Sequence, residues 1–218
     1  MCPLWVGACP LVNGEGGPVA PTGVALRDVR AQLFAAAERV LLRDGPSALT
    51  SRAVTTEAGC AKGVLHRHFA DFDAFLAELI QDRVARIARL GESLRAAAGT
   101  GTVAAHLTGA LGDLFDPVAV AVVALITSRD GLRARLRAAG STGVPLLSEA
   151  TAAVAAYLAA ERGLGRLAPD ADPDVLAPTL VGAAHLLFAD RESGPPDAEA
   201  VRRVVVTVLR PTGEATGP

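Results

Sequence analysis

Apolar residues recur along this chain at intervals of three and four, and no run alternates with a period of two, so the pattern predicts helices throughout. Between residues 29 and 43, Leu33, Phe34, Ala37, Val40 and Leu41 share one face, and Gly45 follows where a left-handed cap is wanted. Thr50 is placed to cap a second helix lined by Val54 and Ala58, which Gly59 stops. A third short helix is predicted from Lys62 to Phe69. From Asp73 to about Ala98 a long amphipathic helix carries Leu76, Leu79, Ile80, Val84, Ile87 and Leu90 on one stripe, until Gly99, Thr100, Gly101 and Thr102 break it.

Beyond that break the helices announce their own starts. Val103, Leu107, Leu111 and Leu114 form one stripe, and Asp116 with Pro117 supplies a cap and a first-turn proline for a very apolar helix. Leu132 and Leu136 mark a short helix bearing Arg129, Arg133, Arg135 and Arg137, closed by Gly140. Leu147, Val154, Tyr157 and Leu158 mark the next, ending near Gly163. Asp172 and Pro173 repeat the cap-and-proline signal before Leu176, Leu180, Ala184 and Leu187, where Pro178 should kink the helix or delay its start. Asp197 caps a last segment through Val201, Val204, Val205 and Val208. These valines favour strands by propensity, but their spacing is helical and a single strand would have nothing to pair with. The fold class is therefore all-α.

Half of the 218 residues are apolar, enough to bury a sizeable core. The net charge of −2 hides a local imbalance, because residues 24–70 hold seven Lys/Arg against four Asp/Glu. Cys2, Cys9 and Cys60 suggest neither a disulfide framework nor a zinc site, so a reducing cytoplasm fits best. Residues 1–23 are rich in Gly and Pro, lack a leader's basic and apolar regions, and read as a flexible tail. No apolar run has the length of a membrane span, and no partner membrane is expected. Nothing in the sequence calls for a cofactor or a metal: His66 and His68 are two apart on a helix and point to different sides. No nucleophile with a recognisable base, and no carboxylate pair, suggests an enzyme. His106 and His185, on apolar helices, read as satisfied core histidines, and the arginines from 129 to 137 as a solvated face.

The segment from Ala58 to Phe69 concentrates positive charge without an acidic residue. Two short helices meeting at Gly59 match a helix-turn-helix, whose second helix enters the DNA major groove. Cys60 and Leu65 are the apolar pegs of that second helix. Lys62, Gly63, Val64, His66 and Arg67 are left on or near its outer surface. Gly63 lets the backbone come close, Val64 offers methyl groups to a thymine, and Lys62 and Arg67 suit phosphate or guanine.

From Arg30 to Ile80 the chain resembles the N-terminal domain of the TetR family of transcriptional regulators. The resemblance lies in the paired alanines of the first helix, in Gly45 five residues before Thr50, in Ala58–Gly59 with Gly63 four residues on, and in His68–Phe69 ahead of a long apolar helix. It departs where Thr55 replaces a usual alanine and where Ala61 replaces a capping serine. His66 also stands for a tyrosine, and Phe72 for a phosphate-contacting lysine.

The resemblance implies a tail (1–23), a helix-turn-helix DNA-binding domain (24–72), a helical regulatory and dimerisation domain (73–212) and a C-terminal tail (213–218). It implies a double-stranded DNA operator contacted by Thr50, Arg52, Ala61, Lys62, Gly63, Val64, His66, Arg67 and His68. It further implies a homodimer formed through Leu176, Leu180, Ala184, Leu187, Val201, Val204, Val205 and Val208. A small apolar effector would lie among His106, Leu107, Leu111, Phe115, Val122, Ile126 and Tyr157, in a region poor in aromatic residues. The expected function is a ligand-responsive repressor of a near-palindromic operator. The alternative is a helical small-molecule-binding protein or enzyme whose DNA-binding head is inactive.

Overall fold

The computed structural model describes residues 22–190 and 194–210. Both expected tails fall outside them, apart from residues 22 and 23, which open the first helix. All regular structure among the described residues is helical, as the spacing requires. Helix α1 (Thr22–Asp44) leads through Gly45 and a short 3-10 turn (Pro46–Ala48) to α2 (Ser51–Glu57) and α3 (Gly63–His68). These form an N-terminal head around Leu33, Val40, Leu41, Leu49, Val54 and Leu65, all shielded from solvent.

Helix α4 (Phe72–Ala96) then runs from the head into the body, about 37 Å at 1.5 Å per residue. It starts one residue before the predicted point because Asp71 caps it: its carboxylate accepts the Ala74 N–H at 2.6 Å. The body contains α5 (Val103–Leu114), α6 (Pro117–Ser128), α7 (Asp130–Ala138), α8 (Leu147–Gly163), α9 (Pro173–Ala189) and α10 (Ala198–Leu209). Helix α8 packs on α4 and α9, α10 packs on α5 and α9, and α6 lies against α1 and the 3-10 turn. Caps at Asp116 and Asp197 accept backbone N–H groups as predicted, and Thr102, expected only to break the preceding helix, caps α5 in the same way.

Two features depart from expectation. Pro178 does not delay α9, which begins at Pro173 and continues past it. Pro178 is exposed, and the carbonyl four residues before it belongs to the helix's solvent-facing first turn, where water can satisfy it. At Gly91 in α4, a Cβ would come within 2.7 Å of the Ala153 Cβ, so the closeness of α4 and α8 depends on the missing side chain. Among the described residues no single helix is long and apolar enough to cross a membrane.

Candidate nucleic-acid interface

The Thr50 hydroxyl accepts the Ala53 N–H at 3.1 Å and starts α2. At its other end the N–H of Cys60 bonds the Thr55 carbonyl, the N–H of Gly59 bonds that of Thr56, and Gly59 takes φ +65°. This pair of bonds around a left-handed residue is a Schellman motif, and it sets the angle at which α3 leaves. Gln32 of α1 holds the corner by donating to the Ala58 carbonyl at 2.8 Å. Thr55, the departure from the usual alanine, is 2% exposed, and its hydroxyl donates to the Ser51 and Arg52 carbonyls, so the extra polar atom is satisfied within α2. The end of α2 is tied to α1 by Glu57, which accepts from Arg39 at 2.7 Å and Arg43 at 2.8 Å. Hydrogen bonds from these two arginines hold the Glu57 carboxyl below its ordinary range.

Leu65 is fully buried and Cys60 half-buried, so α3 is seated by both pegs. Ala61, Lys62, Gly63, His66 and Arg67 are exposed, Val64 and His68 are half-buried, and Thr50 and Arg52 of α2 are exposed beside them. Arg52, Lys62 and Arg67 have no hydrogen-bond or ion-pair partner among the described residues. Each is an uncommitted cation on one short helix pair, which is the electrostatic footprint a phosphate backbone requires. Helix α3 lacks a side-chain cap: Lys62 occupies the cap position in helical conformation, and Ala61 offers no hydroxyl.

Below α3, Phe34, Phe69 and Phe75 form an aromatic cluster with centroids 5.0–6.1 Å apart. Phe72 stacks on Phe75 at 5.7 Å and receives the Arg129 guanidinium at 5.4 Å from its ring centre. The residue standing for a phosphate-contacting lysine is thus committed to an internal contact. Arg129 also donates to the Leu49 carbonyl at 2.9 Å, and Arg135 donates to Asp71 at 2.7 Å. The expected solvated face is therefore corrected: two of its four arginines join the body to the head. A second joint lies at Arg83 of α4, 6% exposed, which donates to Glu38 of α1 at 2.7 Å and to Asp116 at 3.0 Å.

Of the residues expected around an effector, Leu107, Leu111, Phe115, Val122, Ile126 and Tyr157 are buried in the closed core. His106 borders an open space, a cleft of about 270 Å³ between α4 and α5. His106 is satisfied as expected, with Nδ1 3.0 Å from the Tyr157 hydroxyl. His185 is not: its Nδ1 is buried beside Phe115 with no partner among the described residues, and burial lowers its proton affinity. Of the residues expected at a dimer contact, Leu180, Ala184, Val201 and Val205 face into the subunit, whereas Leu176, Leu187, Val204 and Val208 are half-buried. The most exposed large apolar residues on α9 are Val175 and Leu186.

Residues 33–79 match the family of bacterial regulatory proteins, tetR family. Over most of the chain the fold is similar to solved members. A member of the TetR family from Streptomyces coelicolor A3 aligns with TM-score 0.59 and 23% identity, covering 83% of this chain and 98% of that one. The fatty acid degradation regulator FadR from Bacillus halodurans aligns with TM-score 0.64 and 15% identity over 91% and 98%. The transcriptional regulator FadR from Bacillus subtilis, solved with stearoyl-CoA, aligns with TM-score 0.63 and 15% identity over 82% and 97%. No curated protein matches the chain significantly.

Proposed function

We propose, from the premise that this chain carries a tetR-family DNA-binding domain set in the fold of that family's regulators, that it is a ligand-responsive repressor. It binds a near-palindromic DNA operator as a homodimer and is released by a small, mainly apolar effector. The observation that carries this reading is α3: anchored by Leu65, it leaves Lys62, His66 and Arg67 exposed on a convex corner, with Arg52 beside them. Phosphate contacts from such cations position the head, and Gly63 and Val64 lie where base edges are read. The proposed DNA surface is Thr50, Arg52, Ala61, Lys62, Gly63, Val64, His66, Arg67 and His68.

One head reads one half-site, so two copies must hold their α3 helices about 34 to 36 Å apart. We place the contact between copies on the outward side of α9 through Val175, Gly182 and Leu186, bordered by Leu176, Leu187, Val204 and Val208. Exposed apolar residues aligned on one helix face are what a second copy would cover. An effector acts by binding one placement of α4 better than the other, which changes the spacing of the heads.

Selection of sites from random duplex DNA with the full chain tests the reading. A near-palindrome should be enriched, and log affinity should fall linearly with log salt. Lys62→Ala and Arg67→Ala, each removing one phosphate contact from both copies, should each reduce that slope by about 2. A chain that enriches no sequence would instead be a helical ligand-binding protein or enzyme with an inactive head.

A further inference from the structure

The cleft between α4 and α5 is built from two facing stripes. Leu90 and Leu94 come from α4 and Ala97 from its C-terminal cap, and Ala105, Gly109 and Ala110 come from α5. At the two ends of the α5 stripe stand the only two ionisable residues of the lining, His106 and Asp113. They are seven residues apart, so they share a face and lie about 10.5 Å apart along the axis, with Gly109 and Ala110 between them. No lysine or arginine lines the space. The Asp113 carboxylate is exposed and has no partner among the described residues.

The other end is set by a chain of buried groups. Tyr157 is fully buried, and its hydroxyl donates to Glu161 Oε1 at 2.7 Å. Burial, and then the adjacent Glu161, push the phenol's proton affinity well above its ordinary value, so it keeps its one hydrogen and spends it on that bond. Glu161 is fully buried, with Oε2 2.8 Å from Arg166 Nε, and it accepts the Gly99 N–H at 3.3 Å. Because the Tyr157 proton is committed, its oxygen is left to accept. His106 Nδ1, 3.0 Å away, must then carry the hydrogen of that contact. In the neutral ring Nε2 is therefore an acceptor; it lies beside Gly101, where a Cβ would come within 3.0 Å of it, and it has no hydrogen-bond partner among the described residues.

A narrow apolar floor with an orientated acceptor at one end and an unpaired carboxylate at the other selects for donors at both ends. We propose that this cleft binds a small organic ammonium ion with an apolar body and a hydroxyl at its far end, the ammonium on Asp113 and the hydroxyl on His106. The proposal rests on the regulator reading above and names the chemical class of its effector. It also names the route of coupling. The groups that hold His106 reach the loop after α4, where Arg166 donates to the Thr100 and Gly101 carbonyls, and α4 runs from that loop to the head.

The test is calorimetric titration of the DNA-free full chain with 4-(4-aminobutyl)phenol, whose extended length suits the separation of the two ends. The amine should bind, and the carboxylate analogue 4-(4-hydroxyphenyl)butanoate should bind at least about tenfold more weakly, the scale of one hydrogen bond to a charged group. Gly109→Leu fills the floor at a position where a Cβ meets nothing within 4 Å, and should abolish binding without unfolding the chain. Asp113→Asn, on the exposed rim, should erase the preference for the amine over the matching neutral alcohol. No binding of the amine, equal binding of the carboxylate, or unchanged binding by a folded Gly109→Leu chain would overturn the proposal. DNA plays no part in this readout, so a chain that bound the amine and no operator would keep this site and lose the regulator reading.

Discussion

Replacing Arg83 by Met removes the charge at the joint of three helices while keeping an apolar stem of similar length. Arg83 is 6% exposed and holds Glu38 of α1 and Asp116 at the start of α6. Taking away one member of a buried ion pair costs about 3–5 kcal/mol, because the charge left behind is unpaired. Here Glu38 and Asp116 keep 24% and 26% of their side-chain surface exposed, and Asp116 still has Arg86 at 3.7 Å, so water and that second arginine recover part of the loss. A cost of about 2–3 kcal/mol is expected, which for a chain of this size lowers the melting temperature by about 5–10 °C. Helix α6 should survive, since Asp116 caps it through its other oxygen, 2.7 Å from the Ala119 N–H. Thermal melts at one fixed protein concentration read the single variant against a triple variant, Arg83→Met with Glu38→Gln and Asp116→Asn. Asparagine caps as well as aspartate, so the triple chain should regain most of the loss by removing the stranded charges. A single variant within about 0.5 kcal/mol of the parent, or a triple variant no better than the single one, would refute the reasoning.

Gly91→Ala should destabilise the chain by about 1–2 kcal/mol although alanine is the better helix former, because the overpacking cost exceeds the gain in propensity. Its Cβ would meet the Ala153 Cβ at 2.7 Å, and Ala153→Gly in the same chain should restore the melting temperature. His185 has its proton affinity lowered from an ordinary 6.5 by burial. The unfolded chain therefore takes up a proton there before the folded one does. The stability this neutral ring leaves intact above that value should be lost as pH falls through it. Melting temperatures between about pH 7 and about pH 5 should fall more steeply for the parent than for His185→Phe, and equal slopes would refute it.

The helices were legible because an amphipathic helix must repeat its apolar residues every three or four positions, and Val201, Val204, Val205 and Val208 obey that spacing against their strand propensity. The corner at Gly59 was legible for a similar reason, since few other residues tolerate its φ. Ion pairs between distant segments were not. Arg83 lies on the stripe of Leu76, Ile80 and Ile87, and a charge on an apolar stripe was a usable signal that something buried must neutralise it. Its partners, 45 and 33 residues away, left no local trace. Glu161 interrupts the stripe of Val154, Tyr157 and Leu158 in the same way. The dimer residues were hard to assign because α9 is apolar on more than one side. Leu180 and Ala184 point into the subunit while Val175 and Leu186 point out, and periodicity cannot rank two apolar faces. The arginines after residue 128 looked like a solvated surface because the acceptors they reach, a backbone carbonyl, an aromatic ring and a helix cap, carry no sequence signature of pairing.

The aromatic ring at Phe72, occupied by Arg129, bears on how freely such a protein can be recombined. Were residues 24–72 grafted onto another scaffold, the transplant would arrive with a bare ring, an unfilled Leu49 carbonyl and a Glu38 carboxylate, each shaped to a cation left behind. A working chimera would have to import Arg83 and Arg129 along with the graft, so the unit of exchange is larger than the helix-turn-helix module itself.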